Sequence, residues 1–150
     1  MAVKLPLKSI SSEKPSVLVL DDEEKICQII RQFLVISGLF KNVVVADTVS
    51  IALMKIRNEQ FDLIIVDYNL PDKKGTNFIE IVRKSKGYSK VKFLMISGFL
   101  DNKTLADVMN SGVKHVLVKP FTRMMLIKKV CEIMKIPNPY EKGDGLHQKD

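Results

Sequence analysis

Four short apolar runs in this sequence lead directly into residues that carry polar chemistry. VLVL runs into Asp21-Asp22, LIIV into Asp67, FLMI into Ser97-Gly98, and VLV into Lys119-Pro120. If the ends of these runs met, three carboxylates, one hydroxyl and one ammonium would share a site. Asp22 and Asp67 offer the hard oxygen ligands that Mg²⁺ takes alongside waters and phosphate oxygens. Neighbouring carboxylates repel one another unless a cation sits among them, so a divalent ion is expected there. A carboxylate beside such an ion and a lysine suits nucleophilic attack on a phosphoryl group. Lys119 would bring a compact positive charge and Ser97 a short hydroxyl donor. Taken singly, these residues say little: a strand-end Asp is commonly a turn or capping residue, and a strand-end Lys is usually solvated. Their joint placement carries the signal.

The elements that must position them follow from periodicity. Apolar runs at Ser16–Asp21, Asn42–Ala46, Phe61–Asp67, Val91–Ser97 and Val113–Lys119 are short and mostly β-branched. The first, third and fourth are nearly continuous, as in strands buried on both faces of a parallel sheet. Segments with helical spacing lie between and after them. Ile26, Ile29, Ile30, Phe33 and Leu34 make one stripe, closed by Gly38. Thr48 is placed to cap a second helix carrying Ile51, Ala52, Met54 and Ile56. A third is expected over about 76–86 with Phe78, Ile79 and Val82 inward. A fourth would be capped by Asp101 or Asn102 and end before Gly112, carrying Leu105, Val108 and Met109. A fifth would start at Thr122 after Pro120 and stop before Pro137. Strands and helices alternating at this period imply right-handed crossovers and an open parallel sheet covered on both faces. Ligand groups on such sheets gather beyond the carboxyl ends of the strands, where the polar residues above lie.

Bulk properties narrow the classes. The 150 residues are 46% hydrophobic and 27% charged, the balance of a soluble globular domain. No apolar run approaches the roughly 18–20 residues that span a bilayer, and Met1 to Pro15 holds no secretory core, so a cytoplasmic location is expected. Cys27 and Cys131 stand alone within expected helices, as reduced, buried small hydrophobes do. The net charge of +7 invites a nucleic-acid reading. The densest basic run is Arg83, Lys84, Lys86, Lys90 and Lys92, without interleaved aromatics for stacking on bases. It reads as a solvated basic face or as a surface for an acidic partner; DNA binding is not expected. The expected organisation is a flexible extension over 1–14, one domain over 15–136 and a flexible tail over 137–150, with no output domain.

With these residues in view, the chain resembles the receiver domains of two-component response regulators over essentially all of 15–136. The resemblance rests on VLVLDDEE (17–24), LIIVDYNLPDKKG (63–75), FLMISG (93–98) and VLVKPF (116–121). It implies a doubly wound, flavodoxin-like α/β fold: five parallel strands in the order 2-1-3-4-5 with five helices. It further implies that Asp67 accepts the phosphoryl group and that Mg²⁺ is held by Asp22 and Asp67, by Asp21 through a water, and by the backbone carbonyl of Asn69. Ser97 would be the switch hydroxyl, Lys119 would pair with the phosphoryl group, and the Lys119–Pro120 peptide would be cis. The implied donor is a histidine kinase or phosphotransfer protein. The chain would act as no enzyme beyond its own phosphotransfer and dephosphorylation, and would signal through a downstream protein.

Two positions depart from the pattern or tune it. Val116 stands where many receivers carry Tyr or Phe, so an aromatic rotamer switch is not available. Phe99, next but one to Ser97, stands where a hydrolytic water would approach and is expected to shield the acyl phosphate. On the last helix, Leu126, Val130 and Ile133 fit the core, whereas Met124, Ile127 and Cys131 form an adjacent stripe. That stripe reads either as broad packing or as a dimer or partner surface on the fourth helix, fifth strand and fifth helix. A receiver-shaped interaction protein working without phosphorylation is the alternative, disfavoured by intact Asp21, Asp22, Asp67, Ser97 and Lys119. A flavin carrier on the same fold is disfavoured because Asp21-Asp22-Glu23-Glu24 would repel the phosphate.

Overall fold

The computed structural model describes residues 13–141. Strands β1 (Ser16–Leu20), β2 (Asn42–Ala46), β3 (Leu63–Asp67), β4 (Lys92–Ser97) and β5 (Val116–Val118) alternate with helices α1 (Glu24–Ser37), α2 (Val49–Asn58), α3 (Gly75–Arg83), α4 (Asn102–Asn110) and α5 (Arg123–Met134). All strands pair in parallel, in the order β2-β1-β3-β4-β5. This is the doubly wound architecture that the resemblance implies.

Alternation along the central strands divides the interior into two cores. Leu18, Leu20, Ile64, Val66 and Met95 face one way, against Ala52 and Ile56 of α2, Phe78, Ile79 and Val82 of α3, and Val108 of α4. Val17, Val19, Leu63, Ile65, Leu94 and Ile96 face the other, against Ile30 and Leu34 of α1 and Leu126, Ile127 and Val130 of α5. Every residue of β1 and β3 is buried. That explains why their sequences read as unbroken apolar runs and why each can end abruptly in a carboxylate at the rim.

Three helix starts are fixed by side-chain caps. Thr48, Asp101 and Thr122 accept the backbone N–H groups of Ile51, Thr104 and Met125 at 3.1, 2.8 and 3.1 Å. Thr48→Ala is expected to lower stability by about 1 kcal/mol, read as a shift in urea midpoint with unchanged slope.

The structure refines the sequence reading at four places, and on α5 it favours the packing alternative. In α1 the buried stripe is Cys27, Ile30 and Leu34, while Ile29 is exposed. Cys27 is drawn inward because its thiol donates to the Asp21 carbonyl at 3.0 Å. In α4 only Val108 is buried; Leu105 and Met109 are 39% and 65% exposed. In α5, Ile127 and Cys131 are buried, leaving Met124 and Met125 as the exposed pair. Finally, residues 137–141, the first of the expected flexible tail, fold back on α5. Lys135 adopts the left-handed conformation and reverses the chain. Tyr140 then packs against the α1–α5 core with the Arg123 guanidinium 4.8 Å from its ring centroid. Residues 1–12 and 142–150, the rest of the two expected flexible ends, lie outside the described residues.

Candidate functional site

The sheet brings the polar strand ends together. Asp21 follows β1, Asp67 closes β3, Ser97 closes β4 and Lys119 follows β5. Backbone ties continue the sheet past its last paired residues: Asp21 N–H donates to Ala46 O at 3.2 Å, Tyr68 N–H to Ile96 O at 2.8 Å, and Lys119 N–H to Ser97 O at 2.8 Å. The Lys119–Pro120 peptide is cis. The rim therefore rests on the sheet itself.

Lys119 is the electrostatic hub. Its Nζ lies 3.0 Å from Asp21 Oδ2, 2.9 Å from Glu23 Oε1 and 3.4 Å from Asp67 Oδ1. Burial alone would lower its pKa, but hydrogen bonds to Glu23 and Asp21 and the charges of Asp21 and Asp67 outweigh this and raise it. The acids respond the other way. Burial, followed by the charge of Asp21, pushes Asp67 up to about 6 despite Lys119. Burial likewise raises Asp21, against the Glu23 N–H and Lys119. One ammonium does not neutralise this group of acids.

Carboxylate oxygens of Asp21, Asp22 and Asp67 all lie within 4.8 Å of one another, a spacing that could hold a metal ion. Asp21 Oδ1 is already used, accepting the Glu23 N–H at 2.9 Å. Its Oδ2 is buried and faces the Lys119 ammonium at 3.0 Å, a cation it shares with Glu23 and Asp67. Three carboxylates this close, sharing one ammonium, form an all-oxygen cluster that fits a hard divalent cation with retained waters. Asn69, the other expected ligand, lies two residues beyond Asp67 in a loop pinned by a bridge to Lys74. Its side chain is exposed, and the ligand expected from it is the backbone carbonyl.

Ser97 is fully buried, and its hydroxyl is engaged with the loop that follows. It donates to Phe99 O at 2.5 Å and accepts Phe99 N–H at 3.2 Å. Phe99 itself is 68% exposed beside the site. Val116 is partly buried and packs against the core that includes Val108.

Three participants escaped the sequence reading. Glu23 grips Lys119, and the run of four acids at 21–24 was its signal. Gly75 lies directly against the Asp67 backbone and donates its N–H to Tyr68 O at 2.7 Å. Tyr68, buried beside Asp67, donates its hydroxyl to Asp107 of α4 at 2.7 Å. Burial, then the Asp107 bond, pushes the tyrosine up to about 12.

A five-stranded 2-1-3-4-5 sheet with an acidic rim and a Lys-Pro turn defines a class, and the chain belongs to it: the response regulator receiver domain family, whose profile matches residues 17–131. Phosphorylation-based signalling is the general role of that family. The chain is similar to the chemotaxis protein CheY-3 of Vibrio cholerae, 26% identical over 129 residues covering 86% of this chain and 98% of the relative. Among solved structures it resembles V. cholerae chemotaxis protein CheY4 at TM-score 0.75 and 29% identity, covering 80% of this chain and 98% of the other. The beryllofluoride-activated NtrC4 receiver domain dimer matches at TM-score 0.71 and 27% identity, over 80% and 96% of the two chains. Among the described residues, no helix is long and apolar enough to cross a membrane.

Proposed function

We propose that this protein is a cytoplasmic response regulator that accepts a phosphoryl group on Asp67 from a histidine kinase or phosphotransfer protein and signals through a phosphorylation-dependent protein contact. The observation that carries this reading is the placement of the Lys119 ammonium 3.4 Å from a buried, cation-hungry Asp67 at the sheet rim. The Asp67 carboxylate oxygen forms the new bond to phosphorus while the phosphorus–nitrogen bond to the donor imidazole breaks. Lys119 turns from Glu23 toward the arriving equatorial oxygens and stabilises their charge. Asp22, Asp67 and the Asn69 carbonyl, with Asp21 through a water, would hold Mg²⁺, which would supply further positive charge between the carboxylate and the phosphoryl group. Ser97 gives up Phe99 O and turns its hydroxyl to the phosphoryl group, freeing the loop that leads into α4. The cycle closes with hydrolysis on the same residue. The exposed face of α4, β5 and α5, with Leu105, Met109, Val118 and Met124, is the proposed surface for a downstream partner or a second copy.

Intact-mass measurement with a small-molecule phosphodonor and Mg²⁺ tests the reading. One phosphoryl group is expected on wild type and none on Asp67→Asn; equal labelling of both would overturn it. A second expectation concerns the lifetime of that group. Phe99→Glu replaces an apolar shield with a carboxylate able to orient water, and dephosphorylation should quicken by roughly tenfold, about 1.4 kcal/mol of barrier. Unchanged or slower loss of phosphate in a time course would remove Phe99 from the mechanism.

A further inference from the structure

Helix α4 is held in an unusual way. It contributes a single fully buried residue, Val108, to the core, and its other large apolar side chains, Leu105 and Met109, are exposed. Burial of one valine stabilises by only about 1.5–3 kcal/mol, a thin anchor for a helix of this length. Polar ties supply the remainder. Asp107 Oδ2 accepts the Tyr68 hydroxyl at 2.7 Å and the Thr76 hydroxyl at 3.2 Å. At the far end of the helix, the Arg83 guanidinium donates to the Ser111 carbonyl. Directional bonds of this kind hold one position well and lose their strength within a fraction of an ångström.

The tie at Asp107 leads straight to the acceptor. Tyr68 is the next residue after Asp67, and its backbone is clamped by Ile96 O on one side and Gly75 N–H on the other. Its ring is 5% exposed, so a shift of the Asp67 backbone must carry the hydroxyl with it. The same helix is entered through the loop that the Ser97 hydroxyl grips at Phe99. Val116 offers no aromatic side chain to link the site with this helix. Tyr68 provides one, from the acceptor strand instead of the edge strand.

Resting on the phosphoacceptor reading, we propose that the Tyr68–Asp107 hydrogen bond is the latch that couples the state of Asp67 to the position of α4. With the latch closed, α4 keeps the register seen here. Rearrangement of the Asp67–Tyr68 backbone and release of the Phe99 loop open it, and α4 shifts along its exposed face. Tyr68 is thus a positioning residue: it touches no reacting atom and acts through α4.

Hydrogen exchange of the full chain, with and without beryllofluoride and Mg²⁺, tests this with Tyr68→Phe, which keeps the ring and removes only the hydroxyl. In the free protein, α4 amides of the variant should exchange about fivefold faster than in wild type, the worth of one net hydrogen bond, while β1 and β3 amides do not change. Beryllofluoride should speed α4 exchange in wild type and change it at most half as much, on a logarithmic scale, in the variant. Asp107→Ala, altered on the other side of the bond, should reproduce both effects if the tyrosine variant is poorly folded. Wild-type α4 exchange in the free Tyr68→Phe protein would overturn the latch, as would equal acceleration of the sheet and α4, which marks a merely structural role. If beryllofluoride leaves the Asp67 loop of wild type unperturbed, the acceptor reading falls and the coupling with it. A response at that loop with the same α4 change in wild type and variant overturns the latch alone.

Discussion

Asp67→Asn is expected to be more stable than wild type at pH 7.5 in the presence of a chelator, by about 1–3 kcal/mol in urea unfolding. The sign follows from proton linkage. Burial and the Asp21 charge raise Asp67 from 3.8 to about 6 in the folded protein. Between those values the folded state binds more protons than the unfolded chain, so stability falls as pH rises through this window. Above about pH 6 the full penalty stands, and a shift of about two units corresponds to ~3 kcal/mol as an upper figure. Asparagine carries no charge to repel Asp21 and escapes it, although it also forgoes the ion pair with Lys119. The advantage should shrink toward zero below about pH 4, where the wild-type carboxyl is protonated in both states. It should also shrink when Mg²⁺ is added, because an ion bound to the folded state alone stabilises wild type by mass action. Equal stability of the two proteins at pH 7.5 in chelator would show that the acids are already neutralised by Lys119.

Gly75→Ala should do the opposite and damage both folding and phosphorylation. A Cβ at this position would collide with the Asp67 carbonyl oxygen and stand 3.2 Å from both the Asp67 carbonyl carbon and the Tyr68 Cα. These are backbone atoms of a central buried strand, with no rotamer through which to retreat. Relief must come from moving the start of α3 away from β3, which stretches the Gly75 N–H bond to Tyr68 O. A loss of about 1–3 kcal/mol is expected. Displacement of Asp67 by a fraction of an ångström should slow labelling by a small-molecule phosphodonor at least tenfold, given that misplacement by about 1 Å can reduce rates by roughly a hundredfold. Gly98→Ala is the matched control, since a Cβ there meets nothing within 4 Å. It should stay within about 0.5 kcal/mol of wild type. Wild-type stability and labelling in Gly75→Ala would mean that the α3 start yields freely.

The central features were legible because they are local or periodic. Thr48, Asp101 and Thr122 announce helix starts within a few residues, and the caps form as read. The carboxylates at the ends of β1 and β3 are visible because unbroken apolar runs precede them. What could not be read depends on which neighbour covers a surface. Leu105 and Met109 have the same helical spacing as core residues, yet among the described residues no element packs over them. Ile127 and Cys131 also fit a partner-facing stripe, yet they fill the core shared with α1, and the reversal at Lys135 sets the Pro137 carbonyl 3.7 Å from the Cys131 thiol. The Tyr68–Asp107 bond joins residues 39 apart, with no pattern in either segment to reveal it. Gly75 was in plain view within its motif, but its reason is a contact with backbone, which leaves no trace in side-chain periodicity.

The turn at Lys135 has a practical consequence for anyone attaching a probe. Because the chain doubles back along α5, Tyr140 rests on Arg123 and Glu141 comes close enough to Cys131 for its charge to act on the thiol. A fluorophore placed at Glu141 would therefore lie against the outer side of α5 instead of trailing free in solvent. It would report how firmly the returning segment holds to that helix, and a bulky fusion at that point would press on the same contact.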